Sequence, residues 1–134
     1  MKLYTSSWFV KLPGDHLRVG ISRSTPRRIS GFRRLRALEP GLWFNAASPE
    51  EFHKLYMAQL NALDVAAIVV GLEAMAADAQ AVAVVFVCYE APHGGAWCHR
   101  SLISAWLHDR LGLEVPEYGL EGCGARHPLR WRGR

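Results

Sequence analysis

The pattern of apolar and polar positions along the chain predicts short strands that alternate with helices. Residues 2–5 are mostly apolar and residues 17–21 alternate, so both are predicted as strands, with a turn at Pro13-Gly14-Asp15. Residues 81–89 are nine apolar residues in a row and are rich in β-branched side chains. Because such a run is typical of a strand buried on both faces of an α/β sheet, this segment is predicted to be the central strand.

Helices are predicted in three further segments. The first begins at Pro49, because Ser48 can cap it, proline suits the first helical position and Glu51 completes a capping box. Its apolar residues recur at spacings of three and four, at Phe52, Leu55, Tyr56, Leu60 and Leu63. Residues 65–77 predict an alanine-rich second helix, and residues 98–111 predict a third.

These elements predict one α/β domain over residues 1–121. We expect a mostly parallel central sheet flanked by helices, in a three-layer, Rossmann-like arrangement. Residues 114–118 are a candidate for a final short strand, and residues 122–134 are predicted to be a basic, mobile tail. A chain of 134 residues has the size of a single domain with one core.

Composition bears on membrane insertion and on the redox compartment that we expect for this protein. The longest apolar run has nine residues, less than half of the roughly 20 that a membrane-spanning helix needs, so no membrane span is predicted. The three cysteines cannot all pair within one chain, and the first residues lack the apolar stretch of a signal peptide. These features predict a reducing, cytoplasmic setting.

Charge is unevenly distributed within a net charge of +4. The first 36 residues are strongly basic and the middle of the chain is acidic. Residues 22–35 combine arginines with Pro26 and Gly31 and show no apolar periodicity, which predicts a basic surface loop. The arginines of residues 23–36 and of the tail from Arg126 could contact nucleic acid, with Phe32 and Trp131 stacking on bases, or could serve only solubility and pairing with the acidic middle.

The turn that follows the predicted central strand carries the main candidate chemistry. Ligands of open α/β sheets bind beyond the carboxyl ends of the strands, and Cys98-His99-Arg100 opens the helix that comes next. A thiol at a helix N-terminus has a lowered pKa, so Cys98 is a candidate nucleophile, with His99 or Glu90 as proton carrier. Arg100 opposes the helix dipole by about 0.3–1 kcal/mol and is expected to meet an anion, either a bound ligand or Glu90.

Two motifs in this region carry a family resemblance. Cys88-Tyr89-Glu90, a short loop, then Cys98-His99-Arg100 and an amphipathic helix resemble the hallmark of the domain of unknown function 488 family. Matching segments elsewhere extend the resemblance over residues 1–119: Tyr4-Thr5-Ser6, Ile21-Ser22-Arg23 with Pro26, Leu38-Glu39-Pro40, Tyr56 and Glu114-Val115-Pro116-Glu117. The resemblance implies an α/β domain with a site, and it does not specify a reaction. Tyr4, Thr5, Ser6 and Arg23 are candidates for the facing wall of that site.

Zinc is a competing interpretation for a chain with three cysteines and six histidines. Potential ligands are Cys88, His93, Cys98, Cys123 and His127. Neither a CxxC nor an HxxxH pair is present, and Cys88 belongs to the strand predicted to be buried, so no metal is predicted. Walker A, GxGxxG and GxSxG sequences are absent as well, and no cofactor is predicted.

The sequence therefore predicts a site for a small phosphate-bearing or nucleotide-like ligand, held by Arg100 and the helix N-terminus. If the protein is an enzyme, Cys98 would support a group transfer or a hydrolysis. The alternatives are capture of such a ligand without turnover, and binding of nucleic acid through residues 23–36.

Overall fold

The computed structural model describes residues 1–93, 96–123 and 127–133, without the side chain of Cys123. Four parallel strands form its sheet: β1 (Lys2–Ser7), β2 (His16–Gly20), β3 (Arg33–Arg34) and β4 (Ala83–Cys88). Their order across the sheet is β1-β4-β2-β3. The predicted α/β fold with a parallel central sheet is confirmed, and β4 is buried along its whole length between β1 and β2.

Three α-helices follow the predicted segments: α1 (Pro49–Asn61), α2 (Val65–Asp78) and α3 (Arg100–Leu111). The capping box that predicts the start of α1 is present, since the Glu51 N–H donates to Ser48 Oγ and the Ser48 N–H donates to the Glu51 carboxylate. Asp64 caps α2 with its carboxylate, which accepts the Ala67 N–H at 3.2 Å. Short 3-10 helices cover Arg36–Leu38, Leu42–Asn45 and Glu121–Cys123. No single helix in the described ranges is long and apolar enough to cross a membrane.

The two faces of the sheet are covered differently. All three helices contribute buried side chains to the cluster that contains Val84 and Phe86 of β4. The alternate residues, Val85 and Val87, face Trp8 and the loop residues Leu12, Ile29 and Phe32. Because successive side chains of a strand point to opposite faces, β4 contributes to both clusters. Loops thus cover this second side of the sheet, and Ile29 and Phe32 of the basic segment pack against it.

The chain path differs from the sequence prediction in three places. The segment predicted as a basic loop contains β3, which pairs with the end of β2. The predicted strand at residues 114–118 is reduced to a single bridge between Thr5 and Glu117. The segment predicted as a mobile tail returns to the domain, where Leu129 is buried and its carbonyl accepts the Cys98 N–H at 2.9 Å. Residues 124–126 and 134 of that predicted tail lie outside the described residues.

Candidate functional site

A cavity of about 540 Å³ opens where β2 and β4 end. Its volume falls within the range of small-molecule sites, and its position is the one expected for a parallel sheet. The walls come from the residues after β2, the residues around the end of β4, the start of α3 and an aromatic side: Ser22, Arg23, Ser24; Cys88, Tyr89, Glu90; Cys98, His99; Phe44, Phe52 and Trp97. The cavity therefore brings together the predicted groups Cys98, His99, Glu90 and Arg23.

Two sulfur atoms and an imidazole form one wall, which we call the sulfur–imidazole cluster (Cys88, Cys98 and His99). Cys88 is the last residue of β4, and Cys98 and His99 lead into α3. The two sulfurs are in contact, as in a disulfide, and Cys98 Sγ lies 3.8 Å from His99 Nδ1. All three residues are buried. The sequence predicts Cys98 as a separate thiol, whereas the fold joins it to Cys88 because β4 ends beside the start of α3.

A backbone carbonyl fixes the protonation pattern of His99. Its Nε2 lies 2.9 Å from the oxygen of Ile21, and since a carbonyl oxygen only accepts, Nε2 carries the proton. Burial lowers the pKa of His99 from 6.5 to about 4; the charge of Arg100 also lowers it, and the hydrogen bond to Ile21 raises it only in part. The ring is therefore neutral at pH 7, and the lone pair of Nδ1 points toward the sulfur atoms.

Arg100 lies behind the cluster and is fully buried. Its Nε and Nη2 donate to the two carboxylate oxygens of Glu117 at 3.0 and 2.7 Å, and its Nη1 donates to Cys88 Sγ at 3.0 Å. The predicted pairing with Glu90 is wrong, because Glu117 occupies the guanidinium. The predicted role of Arg100 as an anion ligand is also corrected, since this side chain does not line the cavity.

Glu117 is the centre of a buried polar network. Thr5 Oγ1 donates to its carboxylate at 2.7 Å and lies 2.7 Å from Nε2 of His127. His127 Nδ1 accepts the Leu129 N–H, so its Nε2 carries the proton. Burial raises the pKa of Glu117. Hydrogen bonds from His127, Arg100 and Thr5, together with the Arg100 charge, lower it by more than burial raises it, so the pKa is about 2. Glu117 is consequently ionised at pH 7.

Most of the residues predicted for the facing wall of the site lie outside the cavity. Thr5 belongs to the Glu117 network, and Tyr4 packs against His16 and Tyr118 with ring centroids 5.8 and 5.4 Å away. Ser6 Oγ is buried and has no hydrogen-bond partner among the described residues. β1 is separated from β2 by β4, so its side chains do not reach the cavity over β2 and β4. Of this wall, only Arg23 lines the cavity.

Several arginines of the basic segment are engaged within the fold. Arg33 forms an exposed ion pair with Asp78, and Arg34 donates to both carboxylate oxygens of Glu39 at 3.0 Å. Arg23 donates to the Pro40 carbonyl at 3.0 Å, and its guanidinium lies over the ring of Phe44, 5.5 Å from the centroid. The basic surface available to a large polyanion is therefore smaller than the sequence suggests.

Sequence reasoning missed the residues that give the site its shape. Phe44 and Phe52 form part of the aromatic side, and Glu117, which His127 contacts, holds Arg100 behind it. The apolar spacing of Phe52 predicts only core packing. Glu117 has a signal in its place within the segment Glu114-Val115-Pro116-Glu117 of the family resemblance, but this signal does not identify its partner.

Comparison of the chain with protein families, with curated proteins and with solved structures finds no match. The resemblance to the domain of unknown function 488 family stays a prediction. The cavity and the groups that line it are consequently the basis for a function.

Proposed function

We propose that this cavity binds a small phosphate-bearing ligand with an aromatic ring, of the nucleotide type. The observation that carries the proposal is the combination, in one cavity of about 540 Å³, of the Arg23 guanidinium with the aromatic side chains Phe44, Phe52 and Trp97. A nucleotide presents the complementary pair of features, an anionic group and a flat ring.

Arg23 is the anion-binding group of this proposal. Pro40 accepts from one of its nitrogens, which leaves further N–H groups of the guanidinium for a ligand. A planar guanidinium matches two phosphate oxygens at once, and Phe44 supports its face. Arg23 thus takes over the role that the sequence assigns to Arg100.

Trp97 and Phe52 supply the surface for the ring. Their ring centroids are 4.9 Å apart with nearly perpendicular planes, so Phe52 supports the indole from the side. Phe52 is almost fully buried, whereas Trp97 is half-buried and retains surface for a ligand. Stacking of a base on an aromatic side chain is worth about 1–3 kcal/mol.

The predicted reacting groups stand at the same cavity. Cys98, His99 and Glu90 line it together with Arg23, so a bound ligand meets them directly. Capture and, in the protein with reduced Cys88 and Cys98, Cys98-dependent group transfer or hydrolysis begin with the same binding step. Binding is accordingly the step to test first.

The test is a thermal-shift and calorimetric comparison of nucleotides, nucleosides and inorganic phosphate. We expect a nucleoside monophosphate to raise Tm in proportion to RT ln(1 + [L]/Kd). Arg23→Ala should weaken nucleotide binding about 10- to 100-fold, which is the effect of losing one charge-assisted hydrogen-bonding group, and should leave nucleoside binding unchanged. Trp97→Ala should weaken both. Arg36→Ala removes an exposed arginine outside the cavity and is the matched control.

Two results would contradict the proposal. One is that no nucleotide changes Tm. The other is that an oligonucleotide binds with a steep dependence on salt and loses affinity in Arg36→Ala as much as in Arg23→Ala, which would favour the basic segment as a nucleic-acid surface.

A further inference from the structure

The sulfur–imidazole cluster gathers three good metal-ligand atoms at one point. Cys88 Sγ, Cys98 Sγ and a ring nitrogen of His99 all lie within 4.8 Å of one another, and the three residues are buried. We propose that these residues bind a divalent transition-metal ion of the zinc class, with a fourth coordination position open to the cavity. This site goes beyond the proposed function, because it does not depend on the organic ligand.

The donor set agrees with the chemistry of such an ion. Thiolate and imidazole are the ligands that zinc prefers, and two cysteines with one histidine leave a fourth position for water or another small ligand. All three residues line the cavity of about 540 Å³, so the fourth position has space in front of it. Such a site can exchange its fourth ligand, unlike a structural zinc site, in which the protein supplies all four ligands.

The surroundings of His99 provide an independent observation. Metal-binding histidines usually donate the other ring N–H to a carbonyl or a carboxylate, which fixes the ring and directs the free lone pair at the ion. His99 donates Nε2–H to the Ile21 carbonyl at 2.9 Å, and its Nδ1 faces Cys98 Sγ. The backbone after β2 therefore holds the imidazole in the form that can bind metal.

Charge balance also favours an ion in this buried position. A divalent ion with two thiolates is neutral, so burying the set avoids the cost of an unpaired charge. Arg100 donates an N–H to Cys88 Sγ at 3.0 Å, which stabilises the thiolate. The positive charge of Arg100 is already balanced by Glu117, and it does not repel the ion as an unpaired cation would.

A disulfide and a metal ion exclude each other here, since both use the same sulfur electron pairs. The Cα atoms of Cys88 and Cys98 are 7.8 Å apart, whereas ordinary disulfides have about 4.4–6.8 Å. A separation of 7.8 Å allows the two sulfurs to move apart around an ion by rotation of their side chains. Metal binding is therefore a property of the reduced protein.

Cobalt(II) is the probe, because thiolate-bound, tetrahedral Co²⁺ has characteristic charge-transfer and visible absorption. The full chain is reduced with a phosphine, freed of metal and titrated with Co²⁺ without oxygen. We expect saturation at one equivalent, loss of the bands when Zn²⁺ is added, and a spectral change when a small anion or thiol enters the open position. Cys88→Ser and Cys98→Ser each remove one of the two thiolates and should weaken the thiolate–cobalt bands accordingly. His99→Ala should weaken Co²⁺ binding at least 10-fold.

Matched controls separate this site from the rest of the chain. His108→Ala changes an exposed histidine on α3, the helix that follows His99, and this variant should bind Co²⁺ as the unchanged protein does. Arg23→Ala should keep the cobalt spectrum while it weakens nucleotide binding, so the two proposals fail separately. The absence of thiolate–cobalt bands in the reduced, unchanged protein would overturn the metal site, and this result does not depend on the folding of any variant. Bands that persist unchanged in Cys88→Ser would overturn it as well.

Discussion

Arg100 and Glu117 are joined by two hydrogen bonds of 3.0 and 2.7 Å, and neither side chain is exposed to solvent. The pair connects the first turn of α3 to the segment that bridges to β1. It also orients the guanidinium nitrogen that donates to Cys88 Sγ. The back wall of the cavity thus depends on a charge pair that does not itself line the cavity.

Removal of one partner of this pair should strongly destabilise the fold. Glu117→Ala leaves the buried Arg100 charge without its partner, which typically costs about 3–5 kcal/mol. The measurement is the free energy of unfolding from urea titration, followed by circular dichroism.

Asp78→Ala is the control for that experiment. It removes the ion pair of Arg33 with Asp78, whose side chains are 43% and 69% exposed, and should cost about 1 kcal/mol or less. Equal losses for Glu117→Ala and Asp78→Ala would show that the buried pair does not hold the fold together.

Acid should destabilise the protein over a defined pH range. The pKa of Glu117 is about 2 in the folded protein and 4.5 in the unfolded chain. Because the folded-state pKa is the lower one, its contribution is complete above pH 4.5 and is lost as the pH falls from 4.5 toward 2. A shift of this size corresponds to about 3–4 kcal/mol.

Urea titrations at several pH values between 5 and 2 measure this contribution. Glu117→Gln, which cannot ionise, should show a smaller decrease in the free energy of unfolding over the same range. A variant whose pH dependence matches that of the unchanged protein would assign the acid sensitivity to other carboxylates.

A methyl group at residue 20 should not fit. A Cβ atom on Gly20 would lie 2.7 Å from two ring carbons of Trp8, whose side chain is fully buried and donates to Ser22 Oγ at 2.9 Å. Gly20→Ala should therefore destabilise the fold by about 1–3 kcal/mol, as overpacking does in other cores.

Gly71→Ala makes the same chemical change in a different environment. Gly71 lies inside α2, and a Cβ atom there meets no atom within 4 Å. Alanine should stabilise the helix by roughly 0.5–1 kcal/mol, because it loses less backbone freedom on folding. The two variants should shift the urea midpoint in opposite directions, and an unchanged or raised midpoint in Gly20→Ala would refute the account of Gly20.

The sequence by itself determined the elements whose signals are local. Ser48 and Glu51 fix the start of α1, and the nine apolar residues that contain β4 mark the central strand. The order of strand, loop and helix then placed Cys98, His99 and Glu90 at the carboxyl end of β4. These predictions succeeded because capping, periodicity and burial act over a few neighbouring residues.

Only the tertiary structure decided which distant groups meet. Periodicity marks β1 and β2 as strands, but it does not state that β4 lies between them and so keeps Thr5 away from the cavity. A charge pattern shows that Arg100 needs an anion, yet Glu90 and Glu117 are equivalent in that respect until the chain path brings one of them within 3 Å. The contact of Cys88 with Cys98 arises in the same way, from a strand end beside a helix start. Such pairings depend on long-range packing, and the chemistry of single residues does not determine them.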